Sequence, residues 1–105
     1  MLLIVTKPPQ FVQGEFRCRS LSQDEATTLI KDSRAAGNTR PYIFHGSTQR
    51  ALRELTGIKF EMLQKAEIPL PRADDHFLHV KVKARTESGG RPGVDDFEFF
   101  SIEYS

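Results

Sequence analysis

Between residues 77 and 85 the chain alternates with period two. Leu78, Val80, Val82 and Ala84 fall on one side, and His79, Lys81, Lys83 and Arg85 on the other. Successive side chains of a strand point to opposite faces, so this stretch predicts a strand with one face covered and the other turned to water. Such a strand needs ladder partners, and the sequence supplies them. Leu2, Leu3, Ile4 and Val5 form a short apolar run of the buried-strand type, closed by Pro8-Pro9, neither of which can donate to a ladder. Residues 15–19 alternate polar and apolar, residues 42–44 and 59–63 read as further short strands, and residues 97–104 form a closing aromatic strand.

The covering layer is also written out. Ser22-Gln23-Asp24-Glu25 is a capping box, with Ser22 as N-cap, Glu25 reaching back, and Leu21 placed to staple onto Ala26. Ala26, Leu29, Ile30 and Ser33 keep helical spacing up to Gly37, a natural stop. A second helix, capped by Ser47 or Thr48, carries Ala51, Leu52 and Leu55 on one face and ends near Gly57. Strands occur both next to one another and separated by helices. The expectation is therefore an α+β fold, a mixed β-sheet with two helices packed on it. A length of 105 residues predicts a single domain spanning residues 1–105. A chain this small exposes a large share of its surface, which a two-fold homodimer would partly hide.

Other features bound the function. With 15 Lys+Arg against 14 Asp+Glu, the chain lacks the positive field that long nucleic acids require. The single cysteine, Cys18, allows no internal disulfide and reads as a small buried hydrophobe in a reducing compartment. The opening apolar run is too short for a signal peptide or a membrane span, so a cytoplasmic location is expected. Asp74, Asp75, His76 and His79 do not make a metal site, because His76 and His79, three apart on a strand, point to opposite faces. The glycine-rich stretch 87–93 reads as a mobile loop. It lacks the strand-then-helix setting of a phosphate loop, and serves either as an ordinary surface loop or as a lid.

The remaining candidate is Phe44-His45-Gly46-Ser47-Thr48. A helix start favours anions through its unpaired N–H groups and its dipole. A histidine beside it could donate a proton to the leaving oxygen of a phosphodiester, since imidazoles as a class titrate near neutral pH. The plainer alternative is that Ser47 only caps the helix while His45 bonds a backbone carbonyl. The stripe of His79, Lys81, Lys83 and Arg85 likewise has two readings. It is a solvated strand face, or it is a phosphate-binding face with Arg85 as a two-pronged ligand.

The segment Ile43-Phe44-His45-Gly46-Ser47-Thr48, followed by Leu52, Leu55 and Gly57, resembles the helix-opening motif of the small viral and phage ring nucleases. These are type III anti-CRISPR proteins that degrade cyclic tetra-adenylate. The strand from Val80 to Arg85 leading into Glu87-Ser88-Gly89, and the closing Phe99-Phe100-Ser101-Ile102, match in order. The resemblance implies His45 as general acid and Arg85 beside the scissile phosphates. It further implies ligand contacts from Ser47, Thr48, Lys81, Thr6, Glu87 and Lys65, with no metal or cofactor. The sequence departs from the family at Phe44, where a glycine is usual. It departs again at Leu63-Gln64 in place of Asn-Arg, at the displaced Glu87 with Ser88 in its position, and at Thr6-Lys7-Pro8 after the first strand. The expected activity is metal-independent cleavage of a cyclic oligoadenylate by a ribose 2′-hydroxyl, countering nucleotide-activated immunity. Two other readings stand beside it: a sponge that holds a cyclic nucleotide without cutting it, and a protein–protein inhibitor with no nucleotide ligand.

Overall fold

In the computed structural model, which describes residues 1–7, 15–63, 75–83 and 93–104, the capping box forms as its spacing predicts. Ser22 Oγ accepts from the Glu25 N–H at 3.1 Å, and Glu25 Oε1 accepts from the Ser22 N–H at 3.1 Å. The helix they start, α1, spans Gln23–Ala35 and ends before Gly37, whose φ of 67° suits a residue with no Cβ. Ser22→Ala removes one half of the reciprocal cap and is expected to cost about 1 kcal/mol. At about 4–8 °C per kcal/mol for a domain of this size, a thermal melt should register it directly.

The strands are β1 (Leu2–Val5), β2 (Phe16–Leu21), β3 (Thr39–Tyr42), β4 (His76–Val82) and β5 (Phe97–Tyr104). They form one mixed sheet in the order β2-β5-β4-β1-β3. β1 lies between β3 and β4 and runs parallel to both, while β5 is antiparallel to β4 and β2. A strand enclosed on both sides and both faces should read as unbroken hydrophobicity. Leu2, Leu3, Ile4 and Val5 are indeed all buried.

The second helix, α2, spans Gly46–Thr56 and closes at Gly57, where φ is 76° and the N–H donates to the Arg53 carbonyl at 2.8 Å. Both helices lie on one face of the sheet. Ala26 and Ile30 of α1, with Ala51 and Leu52 of α2, pack on Leu2, Ile4, Leu78, Val80, Phe97 and Phe99. A smaller cluster of Leu3, Val5, Phe77 and Ile102, flanked by Phe16 and Tyr42, occupies the opposite face. The α+β expectation holds, with two helices on a five-stranded mixed sheet.

Three local expectations are corrected. Residues 59–63 form no strand. Gln49 Nε2 takes the Phe60 carbonyl at 2.6 Å, a group that a ladder would need, and Phe60 turns into the core. β3 occupies Thr39–Tyr42 rather than residues 42–44, because its ladder lasts only as long as β1, from Leu2↔Thr39 to Val5↔Tyr42. Its Pro41 is tolerated because β3 is an edge strand. Cys18 is exposed rather than buried, since β2 is the other edge strand and no helix covers it there. Pro8-Pro9, Ala84, Arg85 and residues 87–92 of the glycine-rich stretch lie outside the described residues.

Candidate functional site at the carboxyl edge of the parallel strands

Parallel registry brings three strand ends together. Val5 is aligned with Tyr42 on one side and with His79 on the other. The chain leaving these positions supplies Thr6 and Lys7, then Ile43, Phe44 and His45, and finally Lys81 further along β4. Open sheets with parallel strands place ligands beyond the carboxyl ends of those strands. Here α2 begins at that edge.

His45 is itself the N-cap of α2, in an extended conformation with φ −115° and ψ 129°, and its side chain makes no capping bond. Capping by Ser47 or Thr48 is thereby overturned: they are the second and third residues of the helix. The intrahelical ladder starts with the Gln49 N–H, which donates to the His45 carbonyl at 3.2 Å. The N–H groups of Gly46, Ser47 and Thr48 stand outside it, and no acidic residue occupies the first turn. This helix start therefore offers donors and a positive dipole end beside an exposed imidazole.

Two chains of contact run along the edge. Lys7 Nζ lies 5.6 Å from the centre of the Phe44 ring, and the Phe44 and His45 rings are 4.3 Å apart at 47°. On the neighbouring strand His79 sits half-buried, hydrogen-bonded with the Thr6 main chain and near Lys81, its ring 6.0 Å from Phe100. Thr6 joins the two chains. Its Oγ1 is buried without a hydrogen-bond partner among the described residues, a state that native structures rarely leave unused.

His45, Ser47, Thr6 and Lys81 thus come to one edge of the sheet. Thr48 is 2% exposed, so its side chain belongs to the core, and only its main-chain N–H faces the helix start. Arg85, Glu87 and Lys65 lie outside the described residues, together with Gln64 and Ser88. Lys7 and Phe44 join them at this edge. Their signal is positional, since each lies two residues beyond the end of a parallel strand, Val5 and Tyr42 respectively. Among the described residues no group of three or more His, Cys, Asp or Glu gathers as a metal site would require. No described helix is long and apolar enough to cross a membrane.

His76 and His79 point to opposite faces, as their spacing predicts. His76 serves the far end of β4, where its Nε2 and the Ser101 hydroxyl share a hydrogen bond of 2.5 Å. Burial lowers the pKa of His76 below its ordinary value, the N-terminus and Arg19 push the same way, and Glu103 opposes. Burial also lowers that of His79, aided by Lys81 and opposed by the Thr6 hydrogen bond. A depressed folded-state pKa means that the unfolded chain takes up protons first as pH falls. The associated stability is present in full above the ordinary value of about 6.5 and is lost as pH drops through the depressed values. The melting temperature should therefore hold steady above about pH 7 and decline below about pH 6.5, before carboxylates titrate. Replacing both histidines with asparagine should flatten that decline.

No family model matches the chain, and no curated protein does. Among solved structures, B116 of Sulfolobus turreted icosahedral virus (STIV) is similar, with a TM-score of 0.75 over 98% of this chain and 97% of that chain. The two share 14% sequence identity, so the likeness shows a common fold with a viral protein and nothing finer.

Proposed function

We propose that this protein binds a cyclic oligoadenylate, of which cyclic tetra-adenylate is the leading candidate, and opens it by metal-independent cleavage. A ribose 2′-hydroxyl attacks its own adjacent phosphodiester, forming the 2′,3′-cyclic phosphate and losing its proton to solvent. His45 gives a proton to the departing 5′-oxygen. Holding that hydroxyl in line supplies much of the acceleration, and charge on the phosphate is met by the α2 start, Lys81 and Arg85. Ser47, Thr6, Glu87 and Lys65 complete the contacts, with Thr48 contributing its main chain. The likeness to the ring nucleases supports this reading at the level of motif and element order. Two copies related by a two-fold axis would present one such edge to each half of a symmetric ring, and the purpose would be to silence nucleotide-activated immunity in the host cytoplasm.

The observation that carries the reading is the uncommitted His45 imidazole, exposed beside three helix N–H groups outside the ladder. The test is to incubate the purified protein with cyclic tetra-adenylate in EDTA and separate the products. A linear product ending in a 2′,3′-cyclic phosphate is expected. Ligand left intact at high protein concentration overturns the cleavage. A binding-only sponge is the second reading, favoured by Phe44, whose ring leans on His45 and restricts where the imidazole can swing. Calorimetry that shows tight binding with full recovery of the ring would select it.

A further inference from the structure

A hollow of about 250 Å³ runs along the outer side of α2, lined by Gly46, Gln49, Arg50, Arg53 and Lys59. Its composition is one-sided. Two guanidinium groups and one ammonium line it, and among the described residues no carboxylate does. Arg50 and Arg53, three apart on the helix, lie on the same side of it. Lys59 comes from the segment after α2, which the Gln49–Phe60 hydrogen bond of 2.6 Å ties back against the helix. The nearby acids are Glu54 on α2 and Glu61, which lines the adjoining hollow with Arg34 and Lys59. Neither pairs with a cation within 4.0 Å, for the sole ion pair among the described residues is Arg19–Glu25.

Three like charges held around one hollow repel one another and call for a multivalent counter-charge. Guanidinium forks match the tetrahedral oxygens of phosphate. We propose that Arg50, Arg53 and Lys59 form an anion site for a small phosphate-bearing molecule carrying two or more negative charges, separate from the His45 edge and sharing only Gly46 with it.

The experiment is calorimetric titration of the full chain with pyrophosphate at low ionic strength, repeated with ADP. Saturable binding is expected, weakening as salt screens the exposed cations. The double variant Arg50→Gln/Arg53→Gln, and separately Lys59→Gln, should each bind about tenfold more weakly or worse, each tenfold step corresponding to about 1.4 kcal/mol. Binding equal for both ligands assigns the site to phosphate alone, and tighter binding of ADP adds a nucleoside contact. Lys81→Gln, which removes a phosphate contact proposed for the His45 edge, should leave pyrophosphate affinity unchanged, which separates this site from that edge. Absence of saturation, unchanged affinity in the double variant, or loss of affinity in Lys81→Gln would overturn the proposal.

Discussion

His45→Ala is expected to slow single-turnover cleavage of cyclic tetra-adenylate by about 100- to 10,000-fold, the range that a positioned proton donor supplies. The imidazole makes no capping bond, so the substitution removes no anchor of α2. Its effect on stability should stay within about 0.5 kcal/mol, or roughly 4 °C of melting temperature. Ligand affinity should also survive, because the helix N–H groups and the lysine proposed to meet the phosphates are unchanged. Rate lost with affinity and melting temperature kept is the signature of a general acid. A variant that cuts at the full rate would remove His45 from the mechanism.

Phe44 makes a sharper version of the same experiment. The ring nucleases have glycine here, and this chain places an aromatic ring against the proposed acid. If the ring only crowds the imidazole, Phe44→Gly should leave binding intact and raise the cleavage rate. If it orients the imidazole, the rate should fall, which would make Phe44 a positioning residue.

Much of the fold could be read from local chemistry. The Ser22 capping box, the αL closure at Gly57 and the span of β5 depend on residues close in sequence, and they form where spacing puts them. Local spacing misleads where distant partners decide. Residues 59–63 have strand-like spacing, but Gln49, ten residues before Lys59, takes the carbonyl at Phe60. Cys18 alternates like a half-buried residue, but its strand is an edge that no helix covers. The site follows the same division. His45 beside a helix start was visible as a motif, whereas the approach of Lys7 to the Phe44 ring, and that of Thr6 to His79, comes from the parallel registry of β1, β3 and β4. No local pattern encodes which strands become neighbours.

Phe77 tests whether the second face of the sheet matters as much as the helical one. By period two it shares a face with His79, Lys81 and Lys83, a side that reads as water-facing. It is nonetheless fully buried, at 0% exposure, among Leu3, Val5 and Ile102. A phenylalanine removed from so enclosed a place leaves a cavity that neighbouring strand backbone cannot fill. Phe77→Ala is therefore expected to cost about 3–5 kcal/mol. That is a large part of the 5–15 kcal/mol typical of a whole domain. Thermal melting should fall by more than about 12 °C, at about 4–8 °C per kcal/mol. Phe77→Leu, which keeps most of the volume, should lose far less. The polar control is Lys83→Ala, an exposed position one residue beyond β4, expected within about 0.5 kcal/mol. Should Phe77→Ala melt like Lys83→Ala, the second cluster would contribute little, and the sheet would be held by its helical face alone.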